Sequence, residues 1–318
     1  MPGSYAHIAL ANLGSEKQGL EAIPGFPHEA IIAANLHTKF LNLGSISPDY
    51  PYLDVLSGDS LSWANSMHYT HTCKDICIGA ELFRSISGEP AKGKCLSWLM
   101  GYTAHVVTDM CIHPVIELKV GPYESNKINH RKCEMHEDAY IFPRIGVGMP
   151  QTSEYLKTTI GDCGLPDNPS RLDDDVKTLW QLVLQDVYPP DYASNPPDLD
   201  EWHRRCQTVL ETLLPTSSRF VGFARHVCNG CGLLYPMPDE IDRTYIDALR
   251  TPNPAMPSMS YDQIFDIAMK KVQGVWLEVT RYALGQSDQL LFKDEEWNLD
   301  TGKDDFAQGA GCVFWKTV

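Results

Sequence analysis

Apolar residues recur at helical spacing over 4–13 and again over 28–43, and Pro24, Gly25, Phe26 and Pro27 interrupt the stretch between them. The same period predicts helices over 60–67, 75–85 and 94–113, the last ended by Pro114, and over 129–142, closed by Pro143. Residues 44–51 cannot stay helical, because Pro48 and Pro51 each push the preceding residue out of the α region. They are expected to form a rigid loop carrying one acid, Asp49. Over 144–171 Gly, Pro, Asp and Ser accumulate and the periodicity fades, which predicts a long surface loop with at most one short helix.

Helical spacing resumes over 172–187, 200–213, 217–228, 239–249 and 261–284, with proline pairs at 189–190 and 196–197 as breaks. Strand alternation is nearly absent. The tail 286–318 has no dominant period, and 309–314 could form a short strand or packed coil. No repeat at a solenoid period is found. The expected fold is mainly α, a compact multi-helix bundle. Its expected organisation is a first helical region at 1–143, a loop-rich connection at 144–171 and a C-terminal helical region at 172–318 packing on the same domain.

Composition narrows the function classes. The 318 residues are 43% hydrophobic and 21% charged, a balance that folds as a globular protein. Twenty-six Lys and Arg against forty-one Asp and Glu give a formal charge of −15, which repels polyanions and argues against general nucleic-acid binding. No run of 18 apolar residues predicts a transmembrane segment, and the first residues have neither the basic nor the continuous apolar part of a secretory leader. A cytoplasmic location is expected. The ten cysteines form no dense framework and are expected to be reduced thiols; Cys228 and Cys231, without a second pair at zinc-ribbon spacing, are given no role.

Nine of the eleven histidines fall before residue 137. Among them, His105, Asp109 and His113 recur every fourth residue, and each such step turns only about 40° around a helix, so all three share one face. One core histidine is an ordinary structural feature; three regularly spaced ligand types with an acid between them are not. His130 and Glu134 repeat the spacing one segment later. His136 falls about 120° off that face and is expected at the surface, while Glu137 returns to it as a substitute for Glu134. Asp49, His68 and, near the N-terminus, His7 complete the set. Imidazoles with carboxylates, and no cysteine at ligand spacing, suit Zn²⁺ in a hydrolytic site, so 1–143 is expected to be the metal-binding catalytic region, with a metal cluster between helices of the bundle. Tyr50, Tyr52, Trp63, Tyr69 and Tyr123 flank these motifs, with core packing as the plainer account of each.

Together His7, Asp49 after Ser47-Pro48, His68 between Met67 and Tyr69, the series His105, Asp109, His113-Pro114, and the pair His130 and Glu134 resemble the zinc-dependent phospholipase C superfamily over about the first 140 residues. That superfamily includes single-strand nucleases and is mainly α-helical around up to three zinc ions. The resemblance implies one zinc on His68, His105 and Asp109, and a second on His113, His130 and Glu134. It implies a third on His7, a bridging Asp109 and the chain's own N-terminus, with Asp49 orienting or deprotonating the attacking water. The chain begins Met1-Pro2, so Pro2 would offer that amine after methionine removal, and two or three ions are expected. With Pro114 ending the helix, His113 would reach its metal from the last turn.

The expected function is zinc-dependent hydrolysis of a phosphate ester, on a soluble small molecule or a lipid headgroup. A basic amphipathic helix for lipid surfaces is not found. A metal-dependent lyase or cyclase of a small-molecule pathway is the alternative for the same zinc cluster. A zinc-stabilised binding protein would instead close every metal with four protein ligands.

Overall fold

The computed structural model describes residues 3–53, 58–150, 154–212, 235–307 and 311–316. The helices are α1 (Ser4–Gly14), α2 (Lys17–Glu21), α3 (His28–Leu36), α4 (Thr38–Gly44), α5 (Gly58–Tyr69), α6 (Thr72–Phe83), α7 (Ala91–Val120), α8 (Tyr123–Ile141), α9 (Tyr155–Thr159), α10 (Asp174–Val187), α11 (Pro189–Ser194), α12 (Leu199–Thr212) and α13 (Tyr261–Ala283). Two small antiparallel pairs are the only sheets among the described residues: β1 (Leu249–Arg250) with β2 (Ser258–Met259), and β3 (Trp297–Asn298) with β4 (Lys303–Asp304). The mainly α bundle expected from the spacing is the observed architecture. No helix among the described residues is long and apolar enough to cross a membrane.

The bundle is organised around α7, whose 30 residues span about 45 Å. From Cys95 to Ile116 every residue is buried, because α1, α3, α4, α6, α8, α10 and α13 enclose the helix on all sides. The closest approach is with α4. A Cβ on Gly44 would lie 2.1 Å from the Trp98 carbonyl oxygen, and one on Gly101 would lie 2.1 Å from that of Leu41. The two backbones therefore touch, with no room for a methyl group on either side.

Several local expectations change. Pro114 does not end α7, which runs on to Val120 and stops where Gly121, at φ +91°, returns its N–H to the Glu117 carbonyl at 2.8 Å ahead of Pro122. The packing around the proline holds the helix together, so His113 sits well inside it. Ser47–Leu53 is a 3₁₀ helix rather than an irregular loop. Its prolines still fix the backbone, and the Trp98 indole donates to Ser47 Oγ at 2.9 Å. The stretch 28–43 is two helices, broken at His37. The helix expected over 239–249 is instead two 3₁₀ turns (Pro238–Glu240 and Arg243–Tyr245) followed by β1. There Asp242 accepts the N–H of Thr244 at 2.9 Å and Ala248 is left-handed at φ 51°, both of which oppose helix propagation. The helix expected over 217–228 and the Cys228–Cys231 pair lie outside the described residues. The eight described cysteines are free thiols.

His136 is buried rather than at the surface, because the turns after 238 form a further layer over α8. Its Nδ1 accepts the Asp242 N–H at 3.0 Å, and its ring stacks on Tyr245 with centroids 5.2 Å apart.

A buried acid on α6 ties the bundle together. Asp75 Oδ2 accepts hydroxyl protons from Tyr102 of α7 at 2.9 Å and from Tyr188 beyond α10 at 2.7 Å. Burial lifts its pKa to about 8, against the opposing pull of those two hydrogen bonds.

Two predictions follow from this packing. Gly101→Ala places a methyl against immovable backbone and should cost about 3 kcal/mol, read as a lowered urea midpoint. For Asp75 the folded value lies above the ordinary 3.8, so between pH 3.8 and about 8 the folded state keeps a proton that the unfolded state releases. Its contribution to stability therefore falls as pH rises through that window. Asp75→Asn keeps the acceptor and the shape, and should flatten the decline in Tm between pH 5 and 8; an unchanged decline would assign it to other groups.

Candidate metal centre

The eight residues singled out by spacing come from five segments: His7 from α1, Asp49 from the 3₁₀ turn, His68 from α5, His105, Asp109 and His113 from α7, and His130 and Glu134 from α8. Seven of them are buried, and the Asp49 carboxyl is 13% exposed. Asp109 lies at the middle. Its Oδ1 is 3.1 Å from His7 Nε2 and 3.8 Å from His113 Nε2, and its Oδ2 is 3.4 Å from His105 Nε2. His68 Nε2 stands 3.3 Å from His105 Nε2 and 3.4 Å from Asp49 Oδ1. On the other side His130 Nε2 and Glu134 Oε1 are 3.1 Å apart.

Backbone carbonyls fix which nitrogen of three of these rings carries the proton. Because a carbonyl only accepts, Nδ1 must be the donor where His68 meets Ala64 O at 2.6 Å, His105 meets Ser45 O at 2.9 Å and His113 meets Leu299 O at 2.8 Å. In the neutral ring each Nε2 is then a lone pair turned toward the centre. The contact between α4 and α7 at Gly44 and Gly101 is what brings the Ser45 carbonyl within reach of His105, one turn along α7 from Gly101.

The consequence is a set of acceptors facing one another. The lone pairs of His68 and His105 and the carboxylates of Asp49 and Asp109 meet at 3.3–3.4 Å with no donor among them. The Asp109 oxygens, Asp49 Oδ1, His113 Nε2 and both nitrogens of His7 are buried without a well-aligned hydrogen bond. Each such group costs about 1–3 kcal/mol when left unsatisfied. A bound cation relieves all of them together. Three sets have one ligand atom per residue within 4.8 Å of the others: His7, His105 and Asp109; Asp49, His68 and His105; and His113, His130 and Glu134. Atoms bound about 2.0–2.1 Å from zinc stand a comparable distance apart, so the donors fit this ion in type and spacing.

The grouping differs in detail from the one that the resemblance implies. His105 belongs to two sets, and the acid nearest His68 is Asp49 rather than Asp109. The amine expected to join His7 lies outside the described residues.

Protonation suits metal binding. Burial raises the Asp109 pKa, but the charges of His113, His105 and His7 outweigh it and hold the carboxyl well below its usual range. Burial drives His113 well below its ordinary value, toward the neutral ring. A divalent ion would supply to Asp109 the positive charge that neutral rings do not. Glu134 is lowered to about 2, since His130 and Arg131 are among the groups that overcome its burial. Glu137, the expected substitute, is pushed up by burial and faces Cys133 Sγ at 3.5 Å, so it is a poor ligand.

Of the flanking aromatics, Tyr50 and Trp63 are core. Tyr50 hydrogen-bonds His203 Nδ1 at 3.0 Å, which anchors the turn on the side opposite Asp49. Tyr52, Tyr69 and Tyr123 are partly open, with ring centroids 5.6 Å from His68, 6.2 Å from His68 and 5.0 Å from His130 respectively.

Two contributors had gone unnoticed in the sequence. Asp138, one turn past Glu134, accepts the N–H of Ala6 at 2.7 Å and that of Tyr5 at 3.4 Å, and so caps α1 one turn before His7. A Cβ on Gly3 would fall 1.8 Å from its Oδ2, which requires glycine there. The spacing of four from Glu134 was the available signal. The second is the turn after β3, with the Leu299 carbonyl and with Asp300 Oδ1 3.9 Å from His113 Nδ1. A backbone carbonyl leaves no mark in a sequence.

No curated protein and no solved structure matches this chain. The profile of the family described as zinc dependent phospholipase C matches residues 5–188, more than half of the chain and the whole stretch from His7 to Glu134. The acceptor-lined centre and this match lead to one conclusion: the chain belongs to the zinc dependent phospholipase C family.

Proposed function

We propose that the protein is a zinc-dependent phosphoester hydrolase holding two or three ions between α1, α5, α7 and α8. The observation that carries this reading is the cluster of lone pairs from His68, His105, Asp49 and Asp109 facing one another at 3.3–3.4 Å without a donor. One ion is assigned to His68 and His105 with Asp49 or Asp109, a second to His113, His130 and Glu134, and a third to His7 with Asp109 as the bridge. Bound there, zinc supplies positive charge that polarises a phosphoryl oxygen and acidifies water.

The chain's own residues supply the rest. Asp109, buried on every side, belongs to the set of His7 and His105 and places its negative charge 3.8 Å from His113 Nε2 of another set. Asp49 is the more open carboxylate and stands on a turn stiffened by Pro48 and Pro51. Burial raises its pKa, yet positive charge at His105 and His68 brings it below the ordinary value, a charge that a bound ion would supply where the rings are neutral. A carboxylate so placed orients the attacking water and takes its proton. The substrate proposed is a phosphodiester or phosphomonoester of a soluble small molecule or a lipid headgroup, with Tyr52, Tyr69 and Tyr123 as the aromatic surface that it meets. The net charge of −15 opposes free polyanions, while a cation-filled centre attracts a single phosphate group.

Elemental analysis should find at least two zinc ions per chain, and a panel of phosphate monoesters, diesters and phospholipids should be hydrolysed only until a chelator is added. Chelator-insensitive turnover, or less than one ion per chain, would overturn the reading.

The two acids should separate in substitution experiments. Asp109→Asn removes the buried negative charge and should release zinc and lower Tm. Asp49→Asn should retain zinc and Tm but reduce kcat by about 10²-fold or more, as for loss of a general base. Equal zinc loss in both variants would make Asp49 chiefly a ligand, and full activity of Asp49→Asn would remove it from the mechanism.

A further inference from the structure

The described residues 296–307 and 311–315 lie beyond the family match, yet they are built onto the centre. Its seat is the proline of α7. A proline inside a helix leaves the carbonyl four residues earlier without its N–H partner, and for Pro114 this is Met110. Gly302, at φ +66°, packs against that point: a Cβ there would lie 2.4 Å from Pro114 Cγ and 2.6 Å from Met110 O. The Trp315 indole donates to the next carbonyl, Cys111 O, at 2.9 Å, and Val313 N–H ties the same strand of chain to Gly302 O at 2.7 Å. On the α6 side, Thr72 Oγ1 donates to Trp297 O at 2.6 Å, and Glu296 accepts the N–H of His71. Held at both ends, the turn between β3 and β4 delivers Leu299 O to His113 Nδ1 at 2.8 Å.

We propose that the turn at residues 299–302 is a positioning element of the metal centre, which holds His113 in the Nδ1–H tautomer and thereby sets the zinc affinity of His113, His130 and Glu134. This rests on the reading of that set as a zinc site. Without the carbonyl, a neutral His113 divides between two tautomers, and the wrong one turns an N–H toward the site. Loss of an outer partner of this kind weakens metal binding by about 10–100-fold. Pro114 has a role in this arrangement: directly after His113, it opens the helix surface on which the turn is seated.

The test uses the full-length protein with Gly302→Ala, which lifts the turn off Pro114, and Thr72→Val, which releases Trp297 O and replaces no ligand. Zinc affinities are read by competition with a chromogenic chelator, and imidazole tautomers by long-range ¹H–¹⁵N correlation in the zinc-free protein. Wild type should show His113 as Nδ1–H. Gly302→Ala should weaken one zinc site by about 10-fold or more, leave the others unchanged and shift the His113 nitrogens toward the tautomeric average. Thr72→Val should do the same to a smaller extent, and it decides the matter if far-UV circular dichroism shows that Gly302→Ala has not folded. The proposal is overturned if the deciding variant keeps all zinc affinities and the His113 tautomer, or if all ions weaken equally. A wild type that binds no zinc would overturn the metal reading as well, whereas a zinc-loaded wild type with unaffected variants rejects the turn's role alone.

Discussion

Lone pairs held against lone pairs are the constraint on which the centre of this structure depends. With Nδ1 of His68 and His105 committed to the carbonyls of Ala64 and Ser45, their Nε2 atoms face each other at 3.3 Å, with Asp49 and Asp109 alongside. Such an arrangement repels itself in a medium of low dielectric, and hydrogen bonding among the same atoms cannot relieve it. A bound cation turns the repulsion into attraction. The folding free energy of the core and the affinity of the centre for metal are thus coupled quantities.

The bundle holds this arrangement by close backbone contact and by buried side-chain hydrogen bonds. Gly44 and Gly101 let α4 lie directly on α7, so the first carbonyl after α4 can reach a histidine on α7. Asp138 clamps the start of α1 to α8, and Tyr50 anchors the turn that presents Asp49. Each device acts within one helical turn of a site residue. Rigid elements so placed keep the donors apart at fixed distances, as binding of a small ion requires.

Two kinds of buried acid coexist in the interior. Asp109 and Glu134 face imidazoles and stay ionised, while Asp75, Glu137 and Asp138 are pushed upward by burial; Asp138 reaches about 7. The first kind stays ionised among imidazoles and the second retains protons, and on α8 the two kinds lie within one turn of each other. Glu134 and Glu137 illustrate the division: both lie on α8 and both are buried, but only Glu134 has His130 and Arg131 beside it.

The helical period alone determined the class of fold, the shared face of His105, Asp109 and His113, and the pairing of His130 with Glu134, because spacing along one helix is a local property. It could not determine how separate helices meet. That His105 belongs to two sets, that Asp49 is the acid nearest His68, and that α7 passes through Pro114 are results of packing between segments far apart in sequence. Local rules placed a stop at Pro114 and a surface position at His136; the tail seated on α7 and the turns covering α8 supplied the contacts that changed both outcomes. Least visible of all was the Leu299 carbonyl beside His113, since every residue carries the same carbonyl and only the tertiary fold decides which one meets a given ring.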